Sequence, residues 1–196
     1  MAVLPIIHIG HPTLRQRARE VTREELASAE MQRFIDDLVE TMRHANGAGL
    51  AAIQVDRPVR ICAIEVKDNP RYPYKPNVPL TILVNPVLTP LCDPEGRGDT
   101  FQNYEGCLSV PNLRGMVTRH AELDVTALGR DGSAITAVVR GITAGTFQHE
   151  VDHLDGVLFV DRVADTTTLA TWDQWKQHRE AAFIETVRAV VARYGS

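Results

Sequence analysis

The stretch Phe147-Gln148-His149-Glu150-Val151-Asp152-His153-Leu154-Asp155-Gly156 constrains the fold more than any other part of the chain. At about 100° per residue, His149 and His153 lie about 40° apart on one face of a helix. Phe147, Val151 and Leu154 fall between about 140° and 200°, on the opposite face. A helix over 143–155, stopped by Gly156, must therefore press its back into a core and aim two imidazoles at one point. Glu150 borders that point at about 100°. Such an HExxH helix suits a metal held by imidazoles beside a carboxylate base. It supplies only two ligands, so whatever completes the site decides the reaction.

The rest of the chain predicts a mixed scaffold. Residues 22–47 read as one helix, with a Thr22–Glu25 capping box, apolar residues at helical spacing from Met31 to Met42, and a stop at Asn46-Gly47. Residues 59–66 and 80–86 read as strands separated by the Pro-rich loop 68–79. Residues 121–128 and 134–141 alternate apolar and polar side chains about a Gly129–Ser133 turn, which predicts a hairpin. One amphipathic helix is expected over about 171–193. The expectation is an α+β fold: antiparallel strands packed around a central metal-binding HExxH helix, with an N-terminal and a C-terminal helix. At 196 residues, a single domain over 1–196 is expected.

Composition narrows the function classes. A net charge of −4 gives no basic face for sequence-specific nucleic-acid binding and no polybasic patch for anionic lipid. The first residues lack a basic n-region, and no apolar run reaches the length of a membrane span. Cys62, Cys92 and Cys107 form an odd, scattered set, which points to a reducing cytoplasm rather than a disulfide scaffold.

For the third ligand, a zinc peptidase would need a downstream Glu or His at a set spacing. His178, Glu180 and Glu185 on the terminal helix fit no such spacing. Upstream, Cys107 lies in Asn103-Tyr104-Glu105-Gly106-Cys107-Leu108-Ser109, an extended or turning segment. A thiolate with two imidazoles makes a three-ligand site with one position open, the catalytic pattern. Gly47-Ala48-Gly49-Leu50-Ala51-Ala52-Ile53-Gln54 adds glycines beside a neutral amide.

Together, Gly47–Gln54, Glu105–Ser109 and Gln148–Gly156 resemble the peptide deformylase motifs GxGLAAxQ, EGCLS and QHExDHLxG, in that order. The resemblance covers residues 1 to about 162; the C-terminal helix, about 171–193, is where family members vary. It implies removal of the formyl group from N-formylmethionyl nascent peptides, with release of formate. It implies that Cys107, His149 and His153 hold one divalent ion, Fe²⁺ with Zn²⁺, Ni²⁺ or Co²⁺ as substitutes, and that water bound to it attacks the formyl carbon. Glu150 would move the proton, while the Gln54 amide and the Leu108 backbone N–H would stabilise the oxyanion.

Gly47, Gly49 and Arg114 are expected to face substrate. So are Ile142, Gly145 and Thr146, which lie on the histidine face upstream of His149. Ala48, Ile53 and Gly145 depart from the residues common in the family, which bears on pocket volume. Docking on the ribosome near the exit tunnel is a further expectation. The alternatives are an HExxH zinc peptidase and a non-catalytic metal-binding, ribosome-associated module, which would need neither Glu150 nor Gln54.

Overall fold

The computed structural model describes residues 2–69 and 75–196. Its scaffold grows from a strand with apolar side chains on both faces. In β2 (Ile61–Val66), Ile61 and Ala63 point one way and Cys62 and Ile64 the other, and all four are fully buried. A strand apolar on both faces needs cover on both. α2 (Ala29–His44) covers the first face with Met31, Phe34, Ile35, Leu38, Val39 and Met42. α3 (Gly141–Leu154) covers the second with Phe147 and Leu154. Each such side chain contributes about 1.5–3 kcal/mol on burial, so this sandwich fixes where α3 sits.

β2 belongs to a five-stranded antiparallel sheet whose order is β1 (Gly49–Ala51), β2, β3 (Val78–Pro90), β6 (Glu122–Leu128), β7 (Ala134–Arg140). A second sheet joins β4 (Thr100–Cys107), β5 (Val110–His120) and the short β8 (Ala170–Thr171). In the β4–β5 pair, Glu105 faces Gly115 and Cys107 faces Val110, with a register shift between Gly106 and Cys107. α3 touches both sheets, so its two sides meet different partners.

Two helices expected to be continuous are broken. The segment 22–47 forms α1 (Arg23–Ala27) and then α2, because Ser28 adopts an extended backbone (φ −68°, ψ 144°) and its Oγ accepts from the Met31 N–H. Ser28 Oγ also donates to the Glu25 carbonyl at 2.6 Å, so one residue ends the first helix and starts the second. The Thr22–Glu25 capping box is present. The C-terminal helix is likewise two, α4 (Trp172–His178) and α5 (Glu180–Tyr194), broken at Arg179 (φ −131°, ψ −24°). Arg179 Nη1 reaches back to donate to Tyr104 Oη at 3.1 Å. The break lets Trp175 and Phe183 both enter a cluster with Phe101, Tyr104 and Ile142.

The hairpin of β6 and β7 forms where the alternation places it. β4 and β5 had no clear periodic signal because each buries side chains on both faces in places. Of the Pro-rich loop expected at 68–79, residues 70–74 lie outside the described residues. Among the described residues, no helix is long and apolar enough to cross a membrane.

Candidate active site

The end of β4 delivers Cys107 to the face of α3 that carries His149 and His153. Cys107 Sγ lies 3.2 Å from His153 Nε2, and His153 Nε2 lies 3.3 Å from His149 Nε2. All three donor atoms fall within 4.8 Å of one another. Ligands bound at about 2.0–2.3 Å around a tetrahedral ion stand roughly 3.3–3.6 Å apart, so this set fits one divalent ion. Three protein ligands leave a coordination position open to a small molecule.

Strand alternation puts Glu105 on the same side as Cys107, two residues on. Glu105 Oε2 lies 2.8 Å from His149 Nδ1, leaving Nε2 to face the other donors. Arg119 grips both Glu105 oxygens, from Nε at 2.8 Å and Nη2 at 2.9 Å. Its Nη1 donates to Asp152 Oδ2 at 2.6 Å, and Arg162 in turn donates to both Asp152 oxygens at 2.5 Å. Burial alone would raise the Glu105 carboxyl, but the Arg119 charge and hydrogen bonds hold it far below the usual carboxylate range.

Protonation suits ligation. Burial pushes the Cys107 thiol upward, yet the charge of His153 and hydrogen bonds with both imidazoles bring it well below its ordinary value. Burial would lower His149, but bonds to Cys107 and Glu105 raise it well above. The lowered thiol favours the ligating thiolate, and an ion bound through His149 would compete with the proton on its ring.

Gln54 lies in the 3₁₀ turn Ala52–Val55, where its Oε1 accepts from the Ala51 N–H at 2.8 Å. This fixes its Nε2 toward Ser109 Oγ at 3.1 Å and Cys107 Sγ at 3.4 Å. The Ser109 N–H also donates to Cys107 Sγ, at 3.3 Å. Glu150 is buried beside the donor set, and its burial raises its pKa against the opposing charges of His149 and His153. A Cβ at Gly49 would fall on the Glu150 carboxylate, so only glycine lets β1 approach this closely.

The cavity in front of these groups is walled by Gly47, Gly49, Gln54, Leu108 and Arg114 on the strand side. Gly145, Thr146, His149 and Glu150 wall it on the helix side, with Cys107 among the lining residues. His153, 1% exposed, sits behind them. Ile142 does not join the cavity. It is buried against Phe101, Trp175 and Phe183, because the terminal helices pack over the first turn of α3 and take that position for their own core. Arg114 is fully buried rather than a surface arginine, stacked on Trp172 and Trp175 at 4.0 and 4.6 Å.

Sequence reading passed over four residues. Glu105 could have been found from strand alternation, since it shares a side with Cys107. Arg119 and Arg162 carried no local signal, because their partners come from other elements. Lys75, in the Pro-rich loop, lines the cavity and donates to Thr146 Oγ1 at 3.1 Å. Cys62, Cys92 and Cys107 are all free, with Cys62 packed in the core and Cys92 exposed.

A sequence profile of the family described as polypeptide deformylase matches residues 3–168. Peptide deformylase 2 of Nostoc sp. is 40% identical over 176 residues, covering 89% of this chain and 94% of its own. The peptide deformylase of Leptospira biflexa is 41% identical over 167 residues, covering 85% and 90%. The Met-Ala-Ser-bound crystal structure of the class I type b peptide deformylase of Acinetobacter baumannii superposes with a TM-score of 0.77 at 36% identity, covering 83% of this chain and 99% of that one. The peptide deformylase of Synechococcus elongatus in complex with actinonin superposes at 0.72 with 28% identity, over 100% of this chain and 87% of that one.

Proposed function

The chain belongs to the peptide deformylase family, and we infer from that membership and from the convergence of Cys107, His149 and His153 that it is a metal-dependent hydrolase. It removes the N-terminal formyl group from formyl-methionyl nascent peptides and releases formate. The observation that carries the reading is a buried carboxylate, Glu150, set beside a donor set that fits one ion. A structural metal site would not call for it.

We propose Cys107, His149 and His153 as the ligands and α3 as the metal-binding helix about which the strands are arranged. Held there, a divalent ion would acidify water and polarise the formyl oxygen. The chain's own groups do the rest. Glu150, its proton affinity raised by burial, takes a proton from the attacking water and delivers it to the departing amine nitrogen. Gln54 Nε2 turns its longer bond, the one to Cys107 Sγ, toward the developing oxyanion, joined by the Leu108 N–H. Glu105 holds the His149 ring throughout. β1, which begins at Gly49 just after Gly47, is an edge strand that can pair with the substrate backbone. Gly145, Thr146 and Arg114 bound the space for the first side chain.

Among divalent ions we propose Fe²⁺, with Zn²⁺, Ni²⁺ or Co²⁺ as substitutes, since a thiolate with two imidazoles suits each of them. We place the enzyme in the cytoplasm, working as one unit over 1–196 near the ribosomal exit tunnel, consistent with three free thiols. The test is anaerobic: the chain is loaded in turn with each ion and given formyl-Met-Ala-Ser, and formate is measured. Formate release, fastest with Fe²⁺, supports the reading. Cleavage of the peptide bonds without formate would turn it into a peptidase.

A further inference from the structure

Arg114 reaches the cavity from β5 past the residue that separates Glu105 from Cys107. In the β4–β5 register Gly106 faces Arg114, and a Cβ at Gly106 would crowd Arg114 Nε at 3.1 Å, so glycine leaves the arginine its room. The side chain is buried and lines the cavity. What it lies against comes from the C-terminal segment. β8 pairs with β5 so that Ala170 faces Arg114 and Thr171 faces Leu113. α4 starts directly after, and its Trp172 and Trp175, three residues apart, share one helix face. Their ring centres stand 6.0 Å apart at 45°, and the guanidinium carbon sits 4.0 Å from the first and 4.6 Å from the second. Arg114 is therefore seated in the corner between two indoles.

The two indoles are not equivalent. Trp175 is fully buried in the cluster of Tyr104, Ile142 and Phe183, so the core fixes its place. Trp172 is half-buried and packs against Ala48 and Val66, and its backbone N–H donates to Asn112 Oδ1 at 3.2 Å. Ala48 itself lines the cavity. Trp172 thus joins the strand wall of the cavity to the arginine beside it. An aromatic face attracts a cation through its quadrupole, most strongly where water is excluded. A guanidinium held against ring faces loses freedom to turn, so the direction of its in-plane N–H groups is set before a substrate arrives. Arg114 bounds the space for the first side chain rather than touching the formyl group, so its orientation bears on binding and not on the chemical step.

We propose that Trp172 is a positioning residue for substrate binding: by holding the Arg114 guanidinium against the cavity, it makes the segment 170–175 a working part of the site. That segment lies beyond residues 3–168, the part that matches the family profile. The proposal rests on the deformylase reading above.

The experiment measures kcat and KM for formyl-Met-Ala-Ser with the metal-loaded full chain. Trp172→Leu should raise KM about 3- to 30-fold and leave kcat within about twofold, since a site that loses only binding keeps its chemistry. Trp172→Phe restores a ring and should bring KM back to within about threefold of the parent. In an Arg114→Met background, Trp172→Leu should raise KM by less than about twofold further, because the group it holds is gone. If Arg114→Met does not fold, Arg114→Lys serves the same cycle, and Trp172→Leu should again cost less there than in the parent. A Trp172 that only stabilises the fold would lower the unfolding midpoint and the yield of active chain with KM unmoved, and that result overturns the proposal. So do equal effects of Trp172→Leu with and without Arg114. Formate from neither the parent nor any variant would overturn the deformylase reading and this inference with it, whereas formate from the parent with KM unchanged in Trp172→Leu overturns this inference alone.

Discussion

At the metal end of the cavity His149 leans on Glu105, Glu105 on Arg119, and Arg119 on Asp152, each bond 2.9 Å or shorter. At the far end Lys75 donates to Thr146 of α3, and Arg114 of β5 stacks on the Trp172 ring. The first arrangement tolerates almost no change, because each buried charge depends on the next. The second contains no such run of linked charges among the described residues. The difference is one of coupling: the buried charges beside the donor set are linked end to end, while the far-end groups are tied to separate neighbours.

Cys107→Ala should abolish both metal content and formate release, since two imidazoles alone hold an ion weakly in an open site; metal analysis after desalting checks it. Trp175→Ala removes a fully buried ring and should cost about 3–5 kcal/mol of stability. It also uncovers Arg114, so KM should rise in chains that remain folded, as measured by denaturant unfolding beside steady-state kinetics. Glu105→Gln keeps the shape but weakens the hold on His149, and metal affinity should fall about 10- to 100-fold by competition with a chelator. Unchanged metal affinity in Glu105→Gln would mean that the buried charge chain does not hold the His149 ring.

The smallest effect is expected farthest from the site. Thr22→Ala should cost about 1 kcal/mol by loss of the α1 cap and leave formate release alone. The Arg19 hydrogen bond and the Thr22 backbone hold the exposed Glu25 carboxyl down at about 2. Because this pKa is depressed in the fold, its contribution is present above the ordinary value of 4.5 and fades as pH falls from there toward about 2. The gap in unfolding midpoint between Glu25→Gln and the parent should narrow across that window.

How much was legible follows the same division. The ligand helix could be read because its information is local: two imidazoles and an apolar back lie within ten residues and share one period. Cys107 was legible only through its neighbours, and Glu105 only if β4 had been recognised as a strand. Arg119 and Arg162 were not, since nothing near them in sequence foretells a partner on α3. The cavity was hardest. Ile142 has the right helical angle, but angle cannot foresee that Trp175 and Phe183 claim the same turn. The breaks at Ser28 and Arg179 escaped notice for a related reason: each depends on a side chain bonding to a place that periodicity does not describe.

The role of Glu150 is tested with the parent and Glu150→Gln side by side, both loaded anaerobically with Fe²⁺ and assayed for bound iron and for formate from formyl-Met-Ala-Ser. Equal iron in the two proteins, with formate release about 10²- to 10⁴-fold slower in the variant, is the predicted result. Undiminished release by Glu150→Gln at full iron content would contradict it, and the proton would have to travel through another group.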